Sequence, residues 1–123
     1  MAFNYSYDAE NQLIVLTGTG AVTTGDRNVC VKRMIEDRIL PDEAAILIDV
    51  CRVPNPPSKE EIEDIGKLLK QLHKRFRSPI AILNTTVGHA TMSHLIAAIT
   101  SVYCPVRAFI TEAQARNWLK KNM

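Results

Sequence analysis

Apolar residues occur along this chain in two patterns, short unbroken runs and longer stripes at helical spacing. Ile46, Leu47, Ile48 and Val50 form a run without alternation, which suits a strand buried on both faces of a parallel sheet. Residues 80–83 and 106–110 repeat that pattern in shorter form. Phe3, Tyr5 and Tyr7 instead alternate with Asn4 and Ser6, the pattern of an edge strand with one buried face. A polar turn at 8–11 and a second strand over 13–16 make this a predicted hairpin, with residues 17–20 as a flexible exit.

Between the runs lie four helical patterns. Thr23, Thr24 and Asp26 are candidate N-caps for a helix reaching about residue 40. Its stripe is Val31, Ile35 and Ile39 with Met34 beside them, and Pro41 stops it. Pro54, Pro56 and Pro57 break the chain after the central run. Ser58 and Glu61 then have capping-box spacing and open a helix to about residue 76. That helix buries Ile62, Ile65, Leu68, Leu69, Leu72 and Phe76, and its acidic start and basic end match the helix dipole. A third helix is predicted over 89–103, with Met92, Leu95, Ile96, Ile99 and Val102 inward. A fourth follows Thr111 and Gln114, carrying Ala115, Trp118 and Leu119 ahead of a frayed tail at 120–123. The predicted fold class is α/β: strand-strand-helix, then three strand-helix units. These build one domain over residues 1–123, a mixed, mostly parallel sheet of five strands with four helices.

Composition narrows the partners. A chain of 123 residues, 46% hydrophobic and 23% charged, has the makings of an ordinary core. Fifteen basic residues against 13 acidic give +2, too balanced to imply nucleic acid. No apolar run approaches the ~20 residues of a membrane span, and the first residues lack a signal-peptide pattern. Three cysteines without close spacing favour reduced thiols and a cytoplasmic location.

Gly18-Thr19-Gly20 opens like a dinucleotide fingerprint, but Thr23 stands where the third glycine belongs. Gly20 and Gly25 have phosphate-loop spacing, yet Asp26 and Arg27 replace the required Lys and Ser/Thr. Cys51 lacks the arginine six positions on that a phosphate-cradling cysteine loop needs, and is read as structural. His89 and His94, five apart, do not share a helix face, so no metal site is expected. Asp49, Cys51, Ser58, Thr85 and His89 could meet at the strand ends, leaving a weak hydrolase built on Cys51 or Ser58 with His89 as one option. No catalytic signature stands out. The expectation is therefore a protein that is not an enzyme and has no cofactor.

The run LIDVCRV (residues 47–53), the serine-capped helix at Ser58 and the ending VRAFITEAQARNWL (106–119) resemble the STAS domain, more closely its SpoIIAA-like branch of small proteins grouped with SEC14/STAS types. The resemblance spans nearly the whole chain. It implies a regulatory or binding module that presents the loops at the strands' carboxyl ends to a protein or a small ligand. The corresponding rim is Thr24, Arg52, Asn55, Ser58, Asn84, Thr85, Thr86 and His89. In the anti-sigma-factor antagonists of that superfamily a serine at the start of the matching helix is phosphorylated, within Asp-Ser-Ser-Gly. Here residues 53–58 read VPNPPS, so Ser58 is the hydroxyl in that place and the alternative is a phosphorylation-controlled antagonist acting through it. A further alternative is a carrier of apolar ligand or lipid, or a peripheral membrane-surface protein, because the small residues around 95–102 leave room for a cleft. The edge strand at Phe3, Tyr5 and Tyr7 leaves a homodimer open.

Overall fold

The structure is a computed structural model that describes residues 2–85, 87–100 and 105–123, without the side chains of residues 87–92 and 99. Among the described residues, nine elements follow the expected order: β1 (Phe3–Asp8), β2 (Leu13–Thr19), α1 (Thr24–Glu36), β3 (Ala45–Arg52), α2 (Lys59–Phe76), β4 (Ile80–Leu83), α3 (Val87–Thr100), β5 (Val106–Phe109) and α4 (Glu112–Lys121). The strands form one sheet in the order β1-β2-β3-β4-β5. β1 pairs antiparallel to β2, and all later pairings are parallel.

Strand order explains where the helices lie. Each parallel strand is added on the same side of the last, so right-handed crossovers place α1, α2 and α3 on one face. There they cover Phe3, Ile14, Leu16, Ile46, Ile48, Ile80, Ile82, Val106 and Ala108. α4 has no further strand to lead to and folds back onto the other face, where Ala115 and Leu119 join Leu13, Ala45, Leu47, Ala81 and Leu83. Ile46 and Leu47, adjacent in sequence, are thus buried on opposite faces. Burying each contributes about 1.5–3 kcal/mol. This is why the central run does not alternate.

Several boundaries differ from the sequence reading. β2 continues through Gly18 to Thr19 instead of dissolving after Leu16, because Gly18 still pairs with Phe3 and the Thr19 N–H donates to the Ala2 carbonyl at 2.8 Å. α1 ends at Glu36, not near residue 40. Asp37 stops it: its carboxylate accepts from the Ile39 N–H (3.1 Å) and from the Tyr5 hydroxyl (2.8 Å). The chain therefore turns before Ile39 can join the stripe, and Ile39 is 85% exposed. On α3, Ile96 is inward as expected, but Leu95 is 45% exposed and Ala97 is buried in its stead. Thr86, Val102 and the side chains of Met92 and Ile99 lie outside the described residues. Lys120 and Lys121 are helical, since the Asn122 side chain caps the Trp118 carbonyl at 2.7 Å.

Two capping boxes set the helix starts at the carboxyl-end edge of the sheet. Thr23 accepts from the Asp26 N–H (3.1 Å) while Asp26 accepts from the Thr23 N–H (2.9 Å). Ser58 and Glu61 repeat the arrangement at 3.2 Å each way. Each box satisfies two amides that helix geometry leaves without partners. At the far end, Arg75 of α2 donates to the carbonyls of Ile35 (3.3 Å), Asp37 (3.3 Å) and Leu40 (2.8 Å) and pairs with Asp42. It ties the end of α1 to α2.

Candidate functional site

At the carboxyl ends of β2, β3 and β4 the helix-bearing face opens into a cavity of about 320 Å³. Its sheet side is Leu16, Ile48, Val50 and Ile82, and its helical side is Val31 of α1 with Ile65, Leu68, Leu69 and Leu72 of α2. Ser93 and Ile96 of α3 complete the wall. Two loops frame it: residues 20–22, leaving β2, and residues 53–57, leaving β3. The Gly20 N–H donates to the Arg52 carbonyl at 3.1 Å, holding the two loops together. Gly20 makes that turn with φ +68°, a left-handed conformation that a side chain disfavours. The volume is about twice that of an engineered apolar cavity of ~150 Å³ that takes benzene. A body of roughly ten to fifteen non-hydrogen atoms fits on that scale.

The polar side chains of the lining are Arg27, Asn55, Glu61, Asn84 and Ser93. Arg27 of α1 and Glu61 of α2 both line the cavity and are ion-paired, Nη2 to Oε2, at 2.6 Å. The same Nη2 donates to the Thr24 hydroxyl at 3.3 Å. Arg27 is only 12% exposed, and its Nε is buried with no hydrogen-bond partner among the described residues. The hydrogen bond from Arg27, followed by that from the Ser58 amide, holds the Glu61 carboxyl below its ordinary range. Asn84 is buried at the end of β4, where its N–H donates to the Phe109 carbonyl at 3.0 Å.

The expected rim is gathered only in part. Asn55 and Asn84 line the cavity. Thr24 and Ser58 stand behind it, bound to Arg27 and Glu61. Arg52 and Thr85 are exposed and do not line it. Thr86 and the His89 side chain lie outside the described residues, so a catalytic pairing with His89 has no described geometry. Cys51 packs against the α4 side of the sheet, with Sγ 3.8 Å from the Leu83 carbonyl, while the cavity lies on the helix-bearing face. The sequence reading missed Arg27 and Glu61 as a pair and treated Ile65 and Val31 as plain core. One signal was available: helices on neighbouring crossovers bring their first turns together, and a basic residue in one first turn faced an acidic residue in the other.

Among solved structures, an uncharacterized protein of the DUF3478 family from Shewanella loihica PV-4, with a SpoIIAA-like fold, matches with a TM-score of 0.62. The match covers 96% of this chain and 92% of that one at 18% sequence identity. No family model matches this chain. No curated protein matches it significantly. The chain thus has a SpoIIAA-like fold, as its sequence suggested.

Proposed function

We propose that this domain is a non-enzymatic binding module whose cavity at the strand ends takes a small, mainly apolar ligand. The observation that carries this reading is the cavity itself, about 320 Å³ and walled chiefly by aliphatic side chains from the sheet, α1, α2 and α3. Tightly packed cores hold few voids larger than a water molecule, so a space of this size at a strand-end crevice favours a ligand site. The carrier reading and the binding-module reading converge on this cavity. The reading through Ser58 phosphorylation has less support, because the hydroxyl already accepts from the Glu61 N–H and a phosphate there would oppose the Glu61 carboxylate.

Titration of ¹⁵N-labelled protein with toluene tests the proposal. The expected result is saturable shifts of the Val31, Val50, Ile65 and Leu69 amides, abolished in Ile65→Trp. Shifts confined to the exposed surface, or none, would overturn it.

A further inference from the structure

We infer that two copies of this chain join edge to edge through β1, paired antiparallel about Tyr5, with the outer flanks of their α1 helices closing over the seam. β1 is an edge strand of the sheet, and its pairing with β2 fixes where its backbone groups point. The Thr19 N–H donates to the Ala2 carbonyl at 2.8 Å. Bonded pairs alternate along an antiparallel ladder, so Asn4, Ser6 and Asp8 also turn their N–H and C=O toward β2. Phe3, Tyr5 and Tyr7 therefore point theirs outward, and no hydrogen bond among the described residues reaches those groups. Natural sheets close off such an edge with a lysine, a proline or a bulge. Residues 2–7, AFNYSY, supply none of these.

Symmetry and α1 decide what covers the edge. The outward residues are spaced evenly about Tyr5, so a second β1 running antiparallel places Tyr5 opposite its own copy and Phe3 opposite Tyr7. Each such pair then exchanges both N–H···O bonds. The dyad stands perpendicular to the sheet, which brings the two α1 helices to the same face. α1 returns the chain between the parallel strands β2 and β3, so it runs opposite to β2, as β1 does. The helices of the two copies are therefore antiparallel across the seam. Asp26, Val29 and Arg33 fall at i, i+3 and i+7 on one flank of α1. A notch of about 220 Å³, lined by Phe3, Asn4, Tyr5, Cys30 and Arg33, places that flank beside the β1 edge. Val29, 49% exposed in the single chain, lies midway along it and meets its own copy. The antiparallel arrangement turns Asp26 of one copy toward Arg33 of the other, and that opposite charge favours a second copy in this orientation over an unrelated strand. None of this depends on what the cavity binds.

Sedimentation equilibrium and amide hydrogen exchange of the full chain, both followed across a dilution series, test the pairing. The wild type is expected to be a dimer at high concentration and to dissociate on dilution. The Phe3, Tyr5 and Tyr7 amides should be protected in the dimer and lose that protection on dilution, while the Asn4 and Ser6 amides, bonded to β2, stay protected throughout. Val29→Glu puts like charges at the centre of the seam, and Tyr7→Pro removes an outward N–H that β2 does not use. Each should raise the dissociation constant of the dimer roughly tenfold or more. A chain that stays monomeric at every concentration overturns the inference. So does a dimer whose outward amides exchange freely, or one that both variants leave intact, since its seam then lies elsewhere. Should Tyr7→Pro fail to fold, Val29→Glu, a change at an exposed position, and the amide pattern of the wild type still decide.

Discussion

An alanine at Gly18 probes how the β3 loop is held against the sheet beside the cavity. A Cβ built there would lie 2.9 Å from Val53 Cγ2, closer than such atoms approach, while Val22 Cγ2 at 3.5 Å and Phe3 Cε2 at 3.7 Å would be in ordinary contact. Val53, Val22 and Phe3 all line the cavity. Forcing a methyl into a packed site costs about 1–3 kcal/mol. Against that, replacing a strand-interior glycine recovers about 0.5–1 kcal/mol of backbone entropy. Gly18→Ala alone should therefore destabilise by about 1 kcal/mol, within a range of roughly 0–2.5. In a Val53→Ala background the close contact is gone, and the same substitution should stabilise by about 0.5–1 kcal/mol. The sign reverses. Urea unfolding of wild type, both single variants and the double variant measures the coupling, with midpoints compared at constant m. Equal effects of Gly18→Ala in the two backgrounds, within ~0.5 kcal/mol, would refute the packing of Val53 over Gly18.

Arg75→Ala removes three charge-assisted hydrogen bonds to carbonyls around the end of α1. It should cost about 2–4 kcal/mol in urea unfolding, less than the sum of three because the freed carbonyls regain water. Asp42→Asn should stay within about 0.5 kcal/mol, since Asp42 is 81% exposed and its pair with Arg75 is screened. Burial pushes the Cys30 thiol up to about 11. Iodoacetamide at pH 8 should leave Cys30 unmodified in the native protein and alkylate it in urea, as read by peptide mass spectrometry. Because the folded value is raised, the stability linked to Cys30 is complete below the unfolded thiol's value near ~8.5 and is lost as pH rises toward 11. Cys30→Val should remove that part of the alkaline decline. Ser58→Ala should cost about 1 kcal/mol as a lost helix cap, read by thermal unfolding, and leave toluene affinity within twofold or so; a complete loss of binding would give Ser58 a role beyond the cap.

What could be read from the sequence was whatever neighbouring residues decide. The Ser58–Glu61 capping box is a four-residue pattern, and α2 starts where it puts the helix, while Thr23 is the one of three candidate caps that opens α1. Residues 80–83 form a strand as an uninterrupted apolar run, and the hairpin at the start follows from two strands separated by a short polar turn. Ile39 failed because helical spacing does not show that Asp37 turns to meet Tyr5, 32 positions earlier. Leu95 failed because α3 is apolar on most sides, so periodicity could not choose its inward face. At the site, the strand-end location was legible from topology, which carries Asn55 and Asn84 to the cavity. The Arg27–Glu61 pair was not, since its partners are 34 positions apart and meet only because two crossovers share a face. The cavity itself is a gap between residues, and a sequence records only the residues. Ile65, Val31 and Leu69 look the same whether they close on each other or leave room.

Diffraction from crystals of the protein held under xenon tests the existence of that room most directly, because xenon enters empty apolar cavities and needs no polar partner. Ordered xenon between Val50 of the sheet, Val31 of α1 and Ile65 and Leu69 of α2 is the expected result, with the side chains around it unmoved. Side chains closed over that volume with no xenon among them would contradict the assignment of this face as a ligand site.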